Sequence, residues 1–186
     1  MLNAIQCFPC KKGKTDRAMK WIGDKSSSFA TRLVSFAIVE GLFSSSSFAT
    51  IIWIKRKNVL PGEYISRDES FHVAHAVMLY GKLLNKLSNK DFIEIMKEAV
   101  NIEIEFITLA IPCRMIGMNS TVMISYIIFV ADRLCLQLGY DKIYDPLDFM
   151  ESINLYEIKC RVIVLACVIN RRNPCLIFLK VTNICP

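Results

Sequence analysis

Histidine is nearly absent from this chain: of 186 residues only His72 and His75 carry an imidazole. A signal-peptide core is missing as well, because the first fourteen residues, MLNAIQCFPCKKGK, hold no apolar run. Eight cysteines are present, yet their positions (7, 10, 113, 135, 160, 167, 175 and 185) show no disulfide-framework spacing, so a reducing, cytoplasmic setting is expected. Cys7-x-x-Cys10 has no second pair with which to complete a zinc site and reads as two incidental thiols in a mobile end. No internal repeat occurs, the only low-complexity element is Ser44 to Ser47, and strand-like patterns are scarce before residue 160. A dedicated nucleic-acid surface is excluded by charge placement. The net charge is +6, but five basic residues against one acidic fall between Tyr156 and Pro186, which leaves the rest near neutrality.

What the chain does have is apolar length. Hydrophobic types make up 53% and charged types 22%, enough for one domain with a large core and too oily for intrinsic disorder. Residues 29 to 54 read as one long helix that ends in Lys55-Arg56-Lys57 and a Pro61-Gly62 stop. Hydropathy alone would let it span a membrane. Glu40 and four serines in its middle argue for burial in protein instead, because a charge at bilayer depth is costly. A second helix is predicted over 65 to 84, opened by Ser66 as N-cap with Asp68 and Glu69 in its first turn. A third, 91 to 110, places Phe92, Ile95, Met96, Ala99, Phe106 and Ala110 on one face; Glu103 falls inside the stripe and is expected to pair with a buried arginine such as Arg67 or Arg133, the alternative being support of a metal ligand. A fourth runs from Ser120 to Leu138, with Gly139 as its C-cap. Such helices with short connections predict an all-α fold, an antiparallel bundle. The tail beyond Leu155 breaks the pattern with two short apolar runs, 162 to 169 and 175 to 179.

The chemistry concentrates on two helices. Glu40 stands alone in a nearly uncharged helix and so must be neutral, paired or bound to a cation. In the next helix, Glu69-x-x-His72 puts a carboxylate and an imidazole on one face. Taken alone, that spacing also describes an ordinary surface pair. Together, the three residues offer the oxygen and nitrogen mixture that suits iron or manganese. They also amount to half of the donor set of ferritin-like dinuclear carboxylate bundles. His75, three positions further on, reads as a surface or core histidine.

The stretch FATRLVSFAIVEGLFSSSSFATIIWIKRKNVLPG followed by ISRDESFH resembles the small, di-iron subunit of class I ribonucleotide reductase. EAVNIEIEFIT, IGMNSTVMISYIIFVADRL and DPLDFMESINL follow in the family's order, and WIGDK fits its approach to the VEG helix. The resemblance covers roughly residues 7 to 155, so residues 1–155 are expected to form a partial ferritin-like helical domain and 156–186 a divergent tail. It implies that Glu40, Glu69 and His72 are the protein ligands of one iron, with Glu69 bridging to a second. It assigns Asp68 to the radical-transfer route. In the family, the di-iron centre and dioxygen make a tyrosyl radical that a large subunit uses to reduce ribonucleoside diphosphates.

Departures from the family are equally specific. The family's Asp, its other Glu-x-x-His and its radical tyrosine belong to helices that precede the VEG helix, whereas all six tyrosines here follow Glu40, so no catalytic tyrosine is expected. Ser44 replaces a phenylalanine beside the radical, the 61–65 connection is shortened, and a basic, Cys-rich tail stands where the family has a docking peptide. The expected partners are a large subunit and either a small-subunit paralogue or a second copy of this chain, with neither nucleic acid nor membrane. The expectation is a truncated small subunit that is inactive alone. The alternative is a non-catalytic paralogue or fragment that binds and modulates a complete small subunit.

Overall fold

The computed structural model describes residues 9–56, 64–111 and 119–144. Among these residues the chain is helical throughout, with no strand. The helices are α1 (Pro9–Gly23), α2 (Phe29–Gly41), α3 (Ser45–Arg56), α4 (Tyr64–Gly81), α5 (Asn89–Ala110) and α6 (Ser120–Leu138). The side chains of Cys7 and Cys10, the Pro61-Gly62 stop and the tail beyond residue 144 lie outside the described residues.

Local chemistry accounts for the helix ends. Ser28, Ser88 and Asn119 each adopt an extended backbone and accept a hydrogen bond from the amide three residues on, at Thr31, Asp91 and Val122. Gly139 closes α6 with φ of 92°, a left-handed conformation that only glycine adopts without strain, and its amide bonds back to the Cys135 and Leu136 carbonyls. The start of α4 differs from expectation. The helix already includes Tyr64, so Ser66 is its third residue and not its cap.

The predicted single helix over 29 to 54 is two helices. At the break the amides of Leu42 and Phe43 both reach the Ile38 carbonyl, at 2.8 and 3.1 Å, the second being a five-residue step. Ser44 Oγ donates to the Glu40 carbonyl, and Ser45 Oγ donates to that of Leu42 at 2.7 Å. These hydroxyls compete for carbonyls that a continuous helix would use, which is why a serine run after Gly41 interrupts it. The inward residues Leu33, Val34, Ala37, Ile38 and Leu42 pack in the common core. Among the described residues, Phe29–Ile54 and Ser120–Leu138 are the stretches long and apolar enough to cross a membrane, by length and composition only.

Helix α1 was not anticipated. Pro9 opens it at a position where a missing N–H costs nothing. Lys14 Nζ lies 2.5 Å from Glu103 Oε2 of α5 and 2.7 Å from the Phe43 carbonyl, and Arg17 pairs with Glu98. Because residue 14 meets 103 while 17 meets 98, α1 and α5 run antiparallel. Trp21 stacks on Phe43 with centroids 6.1 Å apart. Glu103 is held by Lys14, with Ser46 Oγ as a further donor, and the Arg67 side chain expected as a partner lies outside the described residues.

The stripe of α5 buries Phe92, Met96, Ala99, Val100, Glu103 and Ile107. The predicted set was displaced at its far end, where Ala110 is exposed and Phe106 half-buried. Facing it, α6 buries Met123, Ile127, Ala131, Leu134, Cys135 and Leu138. Phe92 stacks on Tyr140 at 3.7 Å, so the start of α5 meets the end of α6 and this pair too is antiparallel. Burial pushes the Cys135 thiol up to about 12. Asp132, also buried, accepts from the amides of Ile143 and Tyr144 at 2.9 and 3.1 Å. The Leu87 amide donates to the Tyr80 hydroxyl (3.1 Å), Tyr80 and Tyr140 share a 2.5 Å hydrogen bond, and Tyr140 donates to the Leu87 carbonyl (2.9 Å).

Candidate metal centre

The α2–α4 contact determines the site. An added Cβ on Gly41 would lie 3.2 Å from Val73 Cγ2, so the missing side chain lets the two helices approach closely. Glu40 and His72 immediately precede these contact residues, and the same approach brings them together.

His72 Nδ1 is 3.2 Å from Glu40 Oε2 and 3.2 Å from Glu69 Oε2. One donor atom from each of the three residues can be chosen so that all lie within 4.8 Å of one another. The carboxylates are partly covered, with side-chain exposures of 21% and 29%, while the imidazole is 54% exposed, so the trio opens toward solvent through His72. Among the described residues this is the group of three or more His, Cys, Asp or Glu side chains that meets the spacing for a metal ion.

Electrostatics agree with a site built around a cation. Burial raises the Glu40 pKa, the neighbouring Glu69 raises it further, and His72 opposes both. The His72 pKa is raised because its ring bonds to Glu40 and then to Glu69, which hold the imidazolium. The cluster thus stabilises a positive charge at the point where its three donors converge. Metal bonds of about 2.1 Å place neighbouring donors about 3 Å apart, close to the separations already present. Two carboxylates and an imidazole form a donor set that iron or manganese accepts. The residues fit one such ion and supply half of what a dinuclear site uses.

The other predicted site residues stand apart. Asp68 and His75 are exposed on α4 and outside the trio. The Tyr64 side chain, nearest in sequence to the ligands, lies outside the described residues. Sequence reasoning missed a cavity of about 120 Å³ behind the trio, bounded by Glu40, Glu69, Val73, Tyr126, Phe129 and Arg133. Burial pushes the Tyr126 phenol well above its ordinary range, with the nearby Glu103 adding to the shift. No local signal marks Tyr126, because its place follows from α6 packing across α3 and α4.

Known proteins resemble this chain in sequence and in fold. The sequence profile described as "Ribonucleotide reductase, small chain" matches residues 1–148. The ribonucleoside-diphosphate reductase small chain of Spisula solidissima is 51% identical, over 83% of this chain and 42% of its own length. The Variola virus small chain is 48% identical, over 83% of this chain and 51% of its own. The solved structure of the ribonucleotide reductase Rnr4 homodimer from Saccharomyces cerevisiae matches with a TM-score of 0.71 at 32% identity, covering 83% of this chain and 51% of that one. The present chain therefore spans about half, or less, of the length of these relatives.

Proposed function

Because this chain belongs to the ribonucleotide reductase small-chain family, we propose that it acts in ribonucleoside-diphosphate reduction as a small-subunit chain whose Glu40, Glu69 and His72 hold a metal ion. Iron is the first candidate and manganese the second. The observation that carries this reading is convergence: His72 Nδ1 lies 3.2 Å from a carboxylate 32 positions away and equally close to the one on its own helix. Bound iron would supply the one-electron and dioxygen chemistry that side chains lack. Glu40 and Glu69 would offset the ion's charge, and His72 would ligate it from the solvent-facing side. Asp68, one residue before Glu69, is the acidic group that the family pattern puts on the radical-transfer route.

The partners in this reading are a large subunit and a further small-subunit chain, and the homodimer in the Rnr4 structure supports self-association of this fold. All six tyrosines follow Glu40, whereas the family's radical tyrosine precedes it, so the 186 residues bind metal without making a radical of their own.

Ferrous titration under argon, followed by oxygen and electron paramagnetic resonance, tests this reading. The expected result is saturable binding of one ion per chain, lost in Glu40→Gln and His72→Ala, with no tyrosyl radical. Metal uptake unaltered by both substitutions would refute the site, and a stoichiometric radical would refute the inactive-alone reading. Added to a large subunit, the chain should give turnover only when a complete small subunit is also present.

A further inference from the structure

The turn that carries Glu40 is not regular helix. In a regular helix the Phe43 amide would bond to the Val39 carbonyl and the Ser44 amide to that of Glu40. Here the Phe43 amide reaches back to the Ile38 carbonyl at 3.1 Å, and the Glu40 carbonyl takes the Ser44 hydroxyl. The turn therefore accommodates an extra residue, and Glu40 sits inside it. Residues 29 to 54 are apolar enough to run on as one helix, so something must hold this turn open.

The means of holding it comes from two other helices. Lys14 of α1 donates to the Phe43 carbonyl at 2.7 Å, and Glu103 of α5 fixes the ammonium at 2.5 Å. Glu103 also accepts from the Ser46 hydroxyl near the start of α3, and Trp21 of α1 stacks on the Phe43 ring. Glu103 and Ser46 have no exposure, and the Lys14 side chain has 13%. An ion pair so deeply buried contributes little net stability over apolar residues of similar volume. What apolar residues cannot do is offer a charged donor to a backbone carbonyl. Resting on the metal-binding reading above, we propose that the buried Lys14–Glu103 pair is a positioning device for that site: it holds the 42–45 break open and thereby sets Glu40 against His72.

A charge-assisted hydrogen bond is about twice as strong as a neutral one, so Lys14 secures the Phe43 carbonyl more firmly than a backbone amide would. Closing the turn into regular helix moves that carbonyl by one helical position, about 100° and about 1.5 Å. The ion pair opposes that movement. The same closure hands the Glu40 carbonyl from the Ser44 hydroxyl to the Ser44 amide and shifts the residue that bears the carboxylate. His72 meets that carboxylate at 3.2 Å, and Glu69 shares α4 with His72. One displacement therefore separates Glu40 from both of the other donors. Lys14 and Glu103 act on the trio through the backbone of the break, and the metal ligand they position is Glu40.

Manganous titration of the full chain, with nuclear magnetic resonance of the metal-free form, tests the proposal. The variants are Lys14→Met/Glu103→Met, Glu103→Gln and Gly139→Ala. In the wild type the His72 ring should show nuclear Overhauser contacts to the Glu40 methylene protons. The double variant leaves no unpaired buried charge and is checked for folding by circular dichroism. It should lose those contacts and bind manganese about tenfold more weakly or worse. Glu103→Gln keeps the shape of the side chain and frees the ammonium, so it should move both readouts the same way by less, and it decides the matter if the double variant does not fold. Gly139→Ala lowers stability far from the break and should change neither. Wild-type affinity or intact contacts in the folded double variant would overturn the positioning role and leave the metal-binding reading standing. Equal losses in Gly139→Ala would overturn it too, since any loss of stability would then suffice. A wild type that takes up no manganese would overturn the metal-binding reading, and the Overhauser contacts alone would then decide the positioning role.

Discussion

Replacing Lys14 with methionine removes a charged partner of a carboxylate whose side chain has no exposure to water. Burial already pushes the Glu103 pKa up, against the pull of Lys14 and Ser46. Without Lys14 the folded chain must either hold an unpaired buried anion or protonate it. Protonation sets the ceiling, since taking up a proton at pH 7 on a group of ordinary pKa 4.5 costs about 3.4 kcal/mol. The lost bond to the Phe43 carbonyl, 2.7 Å, and the cation over the Phe106 ring, 3.4 Å from its centroid, add about 1 kcal/mol together after methionine recovers part of the packing. The expected loss at pH 7 is therefore about 3 to 5 kcal/mol, a large part of the stability of a domain this size.

The pH dependence separates this mechanism from simple loss of packing. In the variant the folded pKa of Glu103 is higher still, so between pH 4.5 and that value the folded state holds a proton that the unfolded state lacks. Stability of the variant then rises as pH falls, by about 1.4 kcal/mol per unit, and the deficit narrows from pH 7 to pH 5. Urea unfolding followed by circular dichroism at both pH values, on wild type, Lys14→Met and Lys14→Met/Glu103→Met, reads this directly. The double variant removes the buried charge and should regain most of the loss. A single variant that loses less than about 1 kcal/mol, or whose deficit is the same at both pH values, would refute the reasoning.

Other outcomes follow from the same structure. By nuclear magnetic resonance His72 should titrate above 6.5 and return toward it in Glu40→Gln, because the carboxylates hold its proton. Its contribution to stability is accordingly full below pH 6.5 and lost as pH rises through the folded value. Gly41→Val should destabilise by about 1 to 3 kcal/mol and weaken manganese binding, since the new side chain collides with Val73 and moves Glu40 from His72. Gly139→Ala has open space around it but φ of 92°, so thermal unfolding should show a loss of about 1 kcal/mol with metal affinity unchanged.

The parts of the fold legible from sequence were those governed by neighbours along the chain. The span of α6, with Gly139 as its cap, and the pairing of Glu69 with His72 all follow from helical spacing and terminal chemistry. Glu40 was legible for a different reason: a single carboxylate in an apolar helix must find a partner, and the structure brings it to His72. What stayed hidden depends on distant parts of the chain. Lys14 reaches Glu103 across 89 positions, and no local pattern in the polar stretch 9–23 reveals that its purpose is to dock on α5. The break at 42–44 depends on serine hydroxyls choosing backbone carbonyls, a competition that hydropathy does not register.

The two tyrosines around Leu87 have a consequence for how this bundle breathes. Tyr140 gives its proton to the Leu87 carbonyl, so the proton between the phenols must come from Tyr80, and donors and acceptors close a ring through a residue that belongs to no helix. Opening the loop between α4 and α5 severs that ring and loosens Tyr140 from Phe92 in one step. In hydrogen-exchange terms the Leu87 amide should be protected like a core amide. The α4–α5 loop and the end of α6 then form one cooperative unit, which unlocks only when both phenols let go.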